Sequence, residues 1–151
     1  IPNNIIDLKS SIKNSSIMPR IITIVLTKIN NINICAINTH LEYQIPSIQK
    51  RQLEVLKNII EKYYQNYQII LTGDFNMEIK EDNLKEFIDN ILNYNLKRVE
   101  VNDKTNADKF PQETAIDHIF IPNNWDIVEK GTKTIDYVTD HKEVYTLVKT
   151  K

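Results

Sequence analysis

Apolar residues along the chain follow two different periods, and polar residues collect where the apolar runs stop. Segments 21–29 and 32–39 are rich in β-branched residues and are joined by Asn30-Asn31, a pair that tolerates the positive φ angles of a two-residue turn. They therefore predict a β-hairpin. The run 69–71 is short, β-branched and uninterrupted, which is typical of a strand buried on both faces.

Two other segments repeat with the period of a helix. The first begins at Pro46, with Ser47 as its predicted N-cap, and extends to about residue 65. Its apolar residues should face a sheet, while its charged residues should face water. The apolar positions are Leu53, Leu56, Ile60 and Tyr63. Segment 84–92 predicts a second, shorter amphipathic helix.

The order strand, helix, strand over residues 32–73 predicts a crossover between two parallel strands. The carboxyl ends of such strands meet at one edge of a sheet, so His40 and Asp74 should lie close together there. Segments 115–121 and 144–149 predict two further strands. The fold is thus predicted to be of the α/β class.

The remaining segments carry weaker patterns. Residues 101–114 are polar and aperiodic and predict a loop over the same sheet edge, where substrate contacts are expected. Residues 1–19 predict a loop with a short helix at most. No repeat and no internal boundary divides the sequence, so residues 1–151 are expected to lie in one domain.

Acids, amides and histidines stand where the predicted strands begin or end. Any one of them is more often a cap, and Gly73-Asp74-Phe75-Asn76 alone favours a turn. Four such strand ends that converge on one place are harder to explain as caps and turns alone. Paired Asp and His side chains suit phosphoester hydrolysis, because a carboxylate holds an imidazole in one tautomer for proton transfer near neutral pH. Mg²⁺ needs only one or two carboxylates besides water and substrate phosphate.

Composition narrows the function classes. With 19 Lys+Arg against 20 Asp+Glu the net charge is -1, so no overall basic field attracts nucleic acid or an anionic membrane. The single Cys35 excludes an intrachain disulfide and a cysteine zinc set, and is expected to be buried. Two glycines cannot build a P-loop or a dinucleotide fingerprint. The sequence shows no membrane span or signal peptide, which favours a soluble, cytoplasmic protein.

Four short motifs resemble those of a known family in order and spacing. They are Asn38-Thr39-His40-Leu41, Gly73-Asp74-Phe75-Asn76, Ile116-Asp117-His118-Ile119-Phe120 and Thr139-Asp140-His141. Together they resemble the endonuclease/exonuclease/phosphatase superfamily, which includes deoxyribonuclease-like nucleases, deadenylases, inositol polyphosphate 5-phosphatases and sphingomyelinases. The resemblance implies a four-layer α/β sandwich of the deoxyribonuclease-like type. It also implies Mg²⁺-dependent hydrolysis of a phosphodiester or phosphomonoester, with Mn²⁺ as an alternative metal.

The resemblance also implies catalytic roles for five residues. Asp74 would orient or deprotonate the attacking water, and Asn76 would help to hold that water or the phosphate. Asp117 would hold His141, whose imidazole meets the scissile phosphate. His40 would stabilise charge on the same phosphate.

Further positions follow from the same resemblance. Asp140 would coordinate the metal, whereas His118 occupies a position that is often aromatic in the family and is expected to be structural. Arg20 and Arg51-Gln52 also resemble family positions. For Glu42 and Arg51, a supporting role at the site and a solvated surface role are equally open.

One departure from the family pattern shapes the expected activity. Family members begin with a strand carrying an Asn and a helix carrying a metal-binding Glu, and Glu42 and Glu54 lie in the wrong segments to replace that Glu. The chain therefore resembles the C-terminal part of the domain, which should leave a sheet face exposed and the activity weak. A non-catalytic binding module, or an inactive remnant of the scaffold, is the alternative. The substrate class stays open between nucleic acid, nucleotide, phosphoinositide and phospholipid.

Overall fold

The computed structural model describes the backbone of residues 3–7 and all of residues 19–101, 104–105, 114–135 and 139–151. Strands and helices alternate along these ranges. In chain order they are β1 (Asn3–Asp7), β2 (Ile21–Ile29), β3 (Ile32–His40), α1 (Pro46–Tyr63), β4 (Gln68–Asp74), α2 (Asp82–Ile91), β5 (Leu96–Arg98), β6 (Asp117–Pro122), β7 (Asp126–Lys133) and β8 (Glu143–Lys149). A short 3₁₀ helix, Leu92–Tyr94, leads from α2 into β5.

The strands form one large and one small sheet. The large sheet has the order β1-β2-β3-β4-β6-β5, and β7 pairs with β8 in the small one. β3 and β4 are parallel, with α1 as the crossover between them, as the sequence predicts. β6 runs antiparallel to β4. This order sets the ends of β3 and β4 and the start of β6 at a single edge.

The hairpin between β2 and β3 forms as the sequence predicts. Asn30 and Asn31 adopt φ angles of 47° and 67°, which is the backbone that a tight two-residue turn requires. The register pairs Ile29 with Ile32.

Two apolar cores lie on opposite faces of the large sheet. The first packs α1 and α2 against the sheet, and its largest fully buried members include Phe75, Phe120, Leu56, Ile60 and Leu71. The second lies between the other face and the small sheet, and it contains Ile34, Val99, Ile119, Ile121 and Trp125. The described residues thus form three successive layers of an α/β sandwich: helices, large sheet, small sheet.

The middle of β4 is buried on both faces, as the sequence predicts. Ile69 and Leu71 belong to the helix-side core, while Ile70 packs against the second core, so both faces of the strand are covered.

Cys35 is buried, as expected, and burial raises the pKa of its thiol to about 11. A thiol of that kind is unreactive at neutral pH.

The start of α1 differs from the prediction. Ser47 is not the N-cap: Ile45 occupies that position with extended backbone, and Pro46 is the first helical residue. Proline suits this place because its missing N–H would have no partner in the first turn of a helix. The helix ends at Tyr63, close to the predicted end.

Three strands lie where the sequence does not predict them. Asn3–Asp7, expected in a loop or short helix, forms β1 against β2. β5 is too short to carry a pattern, and β7 is largely exposed and bulged between Ile127 and Glu129. Their pairing partners, and not their own periodicity, make them strands. Most of the predicted loop 101–114 and of segment 1–19 lies outside the described residues.

The face of the large sheet opposite the helices is unevenly covered. The small sheet shields its centre, whereas Ile21 in β2 is 47% exposed. In the described part of the chain no helix combines the length and the apolar character that crossing a bilayer requires.

Gly73 is the residue whose replacement should disturb this architecture most. Its φ is +152°, and a Cβ there would lie 2.1 Å from the carbonyl oxygen of Thr39 on β3. We expect Gly73→Ala to lower the free energy of unfolding by about 3 kcal/mol or more, measured by urea denaturation. Gly131→Ala is the matched control, since its Cβ would meet the flexible ring of Tyr145 at 3.1 Å. Equal losses in the two variants would contradict the steric argument.

Candidate active site

Three strands deliver the polar residues to one sheet edge. His40 is the last residue of β3, Asp74 is the last of β4, and Asp117 is the first of β6. The parallel register pairs His40 with Asp74, and the antiparallel register pairs Asp74 with Asp117. His141 reaches the same place from the segment before β8. The predicted convergence of these residues is therefore present.

The side chains form a short chain of contacts. The Nδ1 of His141 lies 2.8 Å from Oδ2 of Asp117, and its Nε2 lies 3.7 Å from Oδ2 of Asp74. The Nε2 of His40 approaches the same Asp74 oxygen at 3.4 Å. An ionised carboxylate only accepts hydrogen bonds, so Nδ1–H of His141 donates to Asp117. That bond directs Nε2 of His141 toward Asp74.

The turn after β4 fixes Asp74. Asn76 has a φ of 51°, and its backbone N–H donates to Oδ1 of Asp74 at 2.8 Å. Its side-chain Nδ2 donates to the carbonyl of Leu41 at 2.9 Å, and Leu41 N–H donates to the carbonyl of Asp74 at 2.9 Å. Between the two polar residues, Phe75 is fully buried. These hydrogen bonds and the buried ring fix the position of the Asp74 carboxylate.

Buried polar side chains of α1 support the segment that follows β3. Oε1 of Gln52 accepts the backbone N–H of Glu42 at 2.8 Å, and Nε2 of Gln49 donates to the Glu42 carbonyl at 2.9 Å. Glu42 itself is buried, and its Oε1 accepts the N–H of Gln44 at 3.1 Å. Glu42 therefore supports the backbone beside the site, whereas Arg51 lies on the exposed side of α1.

Thr105 is a supporting residue that the sequence does not reveal. It is 1% exposed, and its Oγ1 accepts the backbone N–H groups of Ile116 and Asp117, each at 3.1 Å. Its carbonyl accepts the N–H of Lys142 at 2.6 Å. One residue thus connects the start of β6 with the segment that carries His141. A threonine in a polar, aperiodic segment gives no signal from which this role could be predicted.

His118 is placed as expected of a structural residue. It is 3% exposed, its ring packs against Phe75 and Phe120, and its Nε2 lies 2.9 Å from the carbonyl of Met77. Burial lowers the pKa of its imidazole. The neutral ring with a proton on Nε2 satisfies this carbonyl.

Solved structures share the arrangement of strands and helices. A mannosyl-6-phosphatase from Bacteroides thetaiotaomicron matches with a TM-score of 0.78 at 17% identity, over 99% of this chain and 66% of that protein. An endonuclease/exonuclease/phosphatase from Bacteroides vulgatus matches with a TM-score of 0.77 at 17% identity, over 100% and 66%. TDP2 from D. rerio, in complex with a single-strand DNA product, matches with a TM-score of 0.73 at 17% identity, over 99% and 68%.

The chain has the endonuclease/exonuclease/phosphatase fold. It spans 66–68% of the length of these three proteins. No protein-family model matches the sequence, and no curated protein is similar to it in sequence. In this fold the edge that carries Asp74 and Asp117 is the place to look for chemistry, because strand ends of an α/β sheet leave a crevice there.

Two carboxylates, those of Asp74 and Asp117, lie close together at this edge of the endonuclease/exonuclease/phosphatase fold. Burial raises the pKa of the Asp74 carboxyl, and the charge of Asp117 raises it further, although the Asn76 N–H and the two nearby histidines oppose this. Burial alone would lower the pKa of His141, but the hydrogen bond and charge of Asp117, with the charges of Asp74 and Asp140, outweigh it and raise that pKa. A cation placed here would relieve the repulsion between the two acids.

Ligand atoms of Asp74, Asp117 and His141 all lie within 4.8 Å of one another. Carboxylate oxygens are donors that a hard divalent cation prefers, so the two aspartates of this set fit such an ion. Asp140 is exposed and is not part of that group, but its charge contributes to the raised pKa of His141. Asn76 uses one N–H of its amide on Leu41, and an amide nitrogen carries two.

The support given by Thr105 can be measured. We expect Thr105→Val to lower the free energy of unfolding by about 1–3 kcal/mol, because two partly buried N–H groups lose their acceptor. Thr105→Ser keeps the hydroxyl and should retain most of that stability. Urea denaturation of both variants provides the comparison, and equal losses would show that the Oγ1 contacts contribute little.

The charge on His141 can be followed directly in metal-free protein by the pH dependence of its ring NMR signals. We expect Asp117→Asn to lower the pKa of His141, because the negative charge that raises it is lost, and an amide oxygen accepts a weaker hydrogen bond from Nδ1–H than a carboxylate does. A raised pKa contributes stability that is complete below the unfolded-state pKa of about 6.5 and is lost as the pH rises through the folded-state pKa.

The control for this titration is Asp126→Asn, which removes an exposed acid on β7 that pairs with Lys151. It should leave the titration of His141 unchanged. An unchanged titration in Asp117→Asn as well would contradict the assignment of the Nδ1 contact.

Proposed function

We propose that the full-length protein hydrolyses phosphoesters with the help of a divalent cation, Mg²⁺ or alternatively Mn²⁺. The observation that carries this proposal is the imidazole of His141, held by Asp117 at 2.8 Å and facing Asp74 at 3.7 Å. A carboxylate, an oriented imidazole and a second carboxylate are groups that suit metal-assisted attack of water on phosphorus.

Each residue has a chemical role in this proposal. The raised pKa of Asp74 makes its carboxylate a better proton acceptor, which suits the deprotonation of an attacking water. The raised pKa of His141 favours the imidazolium at neutral pH, which donates from Nε2 to a phosphoryl oxygen. His40, on the other side of Asp74, adds a second donor to the same phosphate, and Asn76 helps to hold the water or the phosphate.

A divalent cation would polarise a phosphoryl oxygen and orient the substrate. Asp140 is the proposed ligand, and the neighbouring carboxylates of Asp74 and Asp117 support a cation site at this edge. Oxygen donors of this kind favour Mg²⁺ or Mn²⁺ over softer metals.

The substrate class stays open between a nucleic acid, a nucleotide, a phosphoinositide and a phospholipid. The proteins of the same fold include a mannosyl-6-phosphatase and a TDP2 with a DNA product. The net charge of -1 argues against a processive nucleic-acid binder, which normally carries a basic stripe. A panel of nucleic acids, phosphoinositides, sphingomyelin and sugar phosphates with Mg²⁺ would identify the class.

One observation favours a non-catalytic binding module on the same scaffold. Within the described ranges, the group of close ligand atoms contains two aspartates and a histidine but no glutamate. Such a module would bind its ligand equally well with and without EDTA, whereas the phosphoesterase loses turnover in EDTA.

The catalytic proposal is tested by substitution in the full-length protein. We expect Asp74→Ala and His141→Ala each to lower Mg²⁺-stimulated turnover by about a hundredfold or more, because a proton-transfer group is lost. Asp126→Asn, on the exposed strand β7, is the control and should retain turnover. Unchanged turnover in both active-site variants would rule the proposal out.

A further inference from the structure

His118 lies behind the candidate active site, on the face of the large sheet that the helices cover. It follows Asp117 on β6, and side chains alternate between the two faces of a strand. Further along the same strand, Ile119 packs in the second core and Phe120 in the helix-side core. Asp117 therefore shares the face of Ile119, next to the candidate site, whereas His118 shares the face of Phe120.

The ring of His118 reaches the turn that follows β4. Its Nε2 lies 2.9 Å from the carbonyl oxygen of Met77, a fully buried residue. A carbonyl oxygen only accepts hydrogen bonds, so the proton of this bond belongs to Nε2. Met77 directly follows Asn76, whose backbone N–H donates to Oδ1 of Asp74 at 2.8 Å. The imidazole thus holds the far end of the turn that positions Asp74.

The conformation of this turn depends on such contacts. Asn76 adopts a φ of 51°, and a left-handed residue other than glycine persists only where its surroundings fix it. The side chain of Asn76 donates to the carbonyl of Leu41 at 2.9 Å, and the N–H of Phe75 donates to the carbonyl of Ile116 at 2.9 Å. Those two bonds hold the first half of the turn, and His118 holds the residue that comes next.

The second ring nitrogen shows what the histidine is there for. Within the described part of the chain, Nδ1 of His118 is enclosed without a hydrogen-bond partner, and a buried polar atom without a partner is unfavourable. The ring centroid lies 5.5 Å from that of Phe75 and 6.3 Å from that of Phe120. A phenylalanine would fill this space with no unsatisfied atom. The advantage of histidine therefore lies in the bond from Nε2 to Met77.

We propose that His118 is a positioning residue: its Nε2–H fixes the Met77 carbonyl and, through it, the turn that holds Asp74. The proposal rests on the phosphoesterase function proposed above and adds a residue to it. His118 touches no reacting group in that function and acts through Asn76. Because the chemical step depends on how Asp74 is oriented toward the attacking water, a small displacement of the turn lowers the rate.

The first test uses the unaltered full-length protein, so it does not depend on a variant that folds. Long-range ¹H–¹⁵N NMR spectra of metal-free protein at neutral pH show which ring nitrogen of a histidine carries the proton. We expect a neutral His118 ring with the proton on Nε2, because burial lowers the pKa of this imidazole and the Met77 carbonyl needs a donor. A neutral ring with the proton on Nδ1 could not donate to Met77 and would overturn the proposal.

The second test measures backbone hydrogen exchange in full-length His118→Phe and His118→Gln. Phenylalanine keeps the aromatic packing but has no donor, whereas the side-chain amide of glutamine can replace Nε2–H. The amide of Leu71, in the middle of β4, reports the stability of the sheet, so the quantity compared is the exchange rate of Asn76 divided by that of Leu71.

We expect this exchange ratio to rise by about tenfold or more in His118→Phe, because the turn opens locally while the sheet does not. In His118→Gln the ratio should stay close to that of the unaltered protein. An unchanged ratio in His118→Phe would show that the turn does not depend on the histidine and would contradict the positioning role.

The third test measures Mg²⁺-stimulated turnover of the same variants. We expect His118→Phe to lower kcat by about tenfold or more with little change in KM, since the orientation of Asp74 matters in the chemical step. His118→Gln should recover most of the rate.

Phe87→Leu is the matched control for turnover. Phe87 belongs to the same aromatic cluster, with its ring centroid 6.2 Å from that of Phe75 and 6.2 Å from that of Phe120, and its side chain forms no hydrogen bond. The variant should lose stability but retain kcat. A loss of kcat equal to that of His118→Phe would assign the effect to packing and refute the role of the Nε2 contact.

The two proposals fail in distinguishable ways. If Nε2 carries the proton and the exchange ratio rises in His118→Phe, but no phosphoester is hydrolysed, the hold of His118 on the turn is supported and the phosphoesterase function is not. If hydrolysis depends on Asp74 but kcat is retained in His118→Phe, the function is supported and the positioning role is refuted.

Discussion

The parallel pairing of β3 with β4 is the constraint on which the candidate site depends. Because α1 returns the chain to the same edge, the register sets His40 opposite Asp74, and the antiparallel strand β6 then sets Asp117 opposite Asp74. Gly73 permits this approach, since any side chain there would collide with the carbonyl of Thr39. The chemistry at the edge is a consequence of backbone pairing.

That pairing brings two like charges together, and the surrounding structure compensates for them. Asp74 is held by the N–H of Asn76 and approached by two imidazoles, while Asp117 accepts a hydrogen bond from His141. Such compensation is incomplete, as the raised pKa of Asp74 indicates. Two carboxylates in this condition favour a cation.

Buried polar residues outside the motifs keep this geometry rigid. Gln49 and Gln52 tie the backbone of Glu42 to α1, and Thr105 ties the start of β6 to the segment before β8. None of them belongs to the group formed by Asp74, Asp117 and His141. Each satisfies backbone groups that would otherwise be buried without partners, and that is why polar residues are tolerated in these interior positions.

The sequence by itself determined the hairpin at Asn30-Asn31, the parallel crossover and the polar residues that meet at its edge, because each follows from a local period or from strand ends that a crossover must align. Tertiary structure alone decided the N-cap of α1, the strand identity of β7, the role of Thr105 and the burial of Arg20. Those features depend on partners distant in the chain: β7 is a strand because β8 pairs with it, and Thr105 matters because two remote segments donate to it. A local pattern carries no information about such contacts.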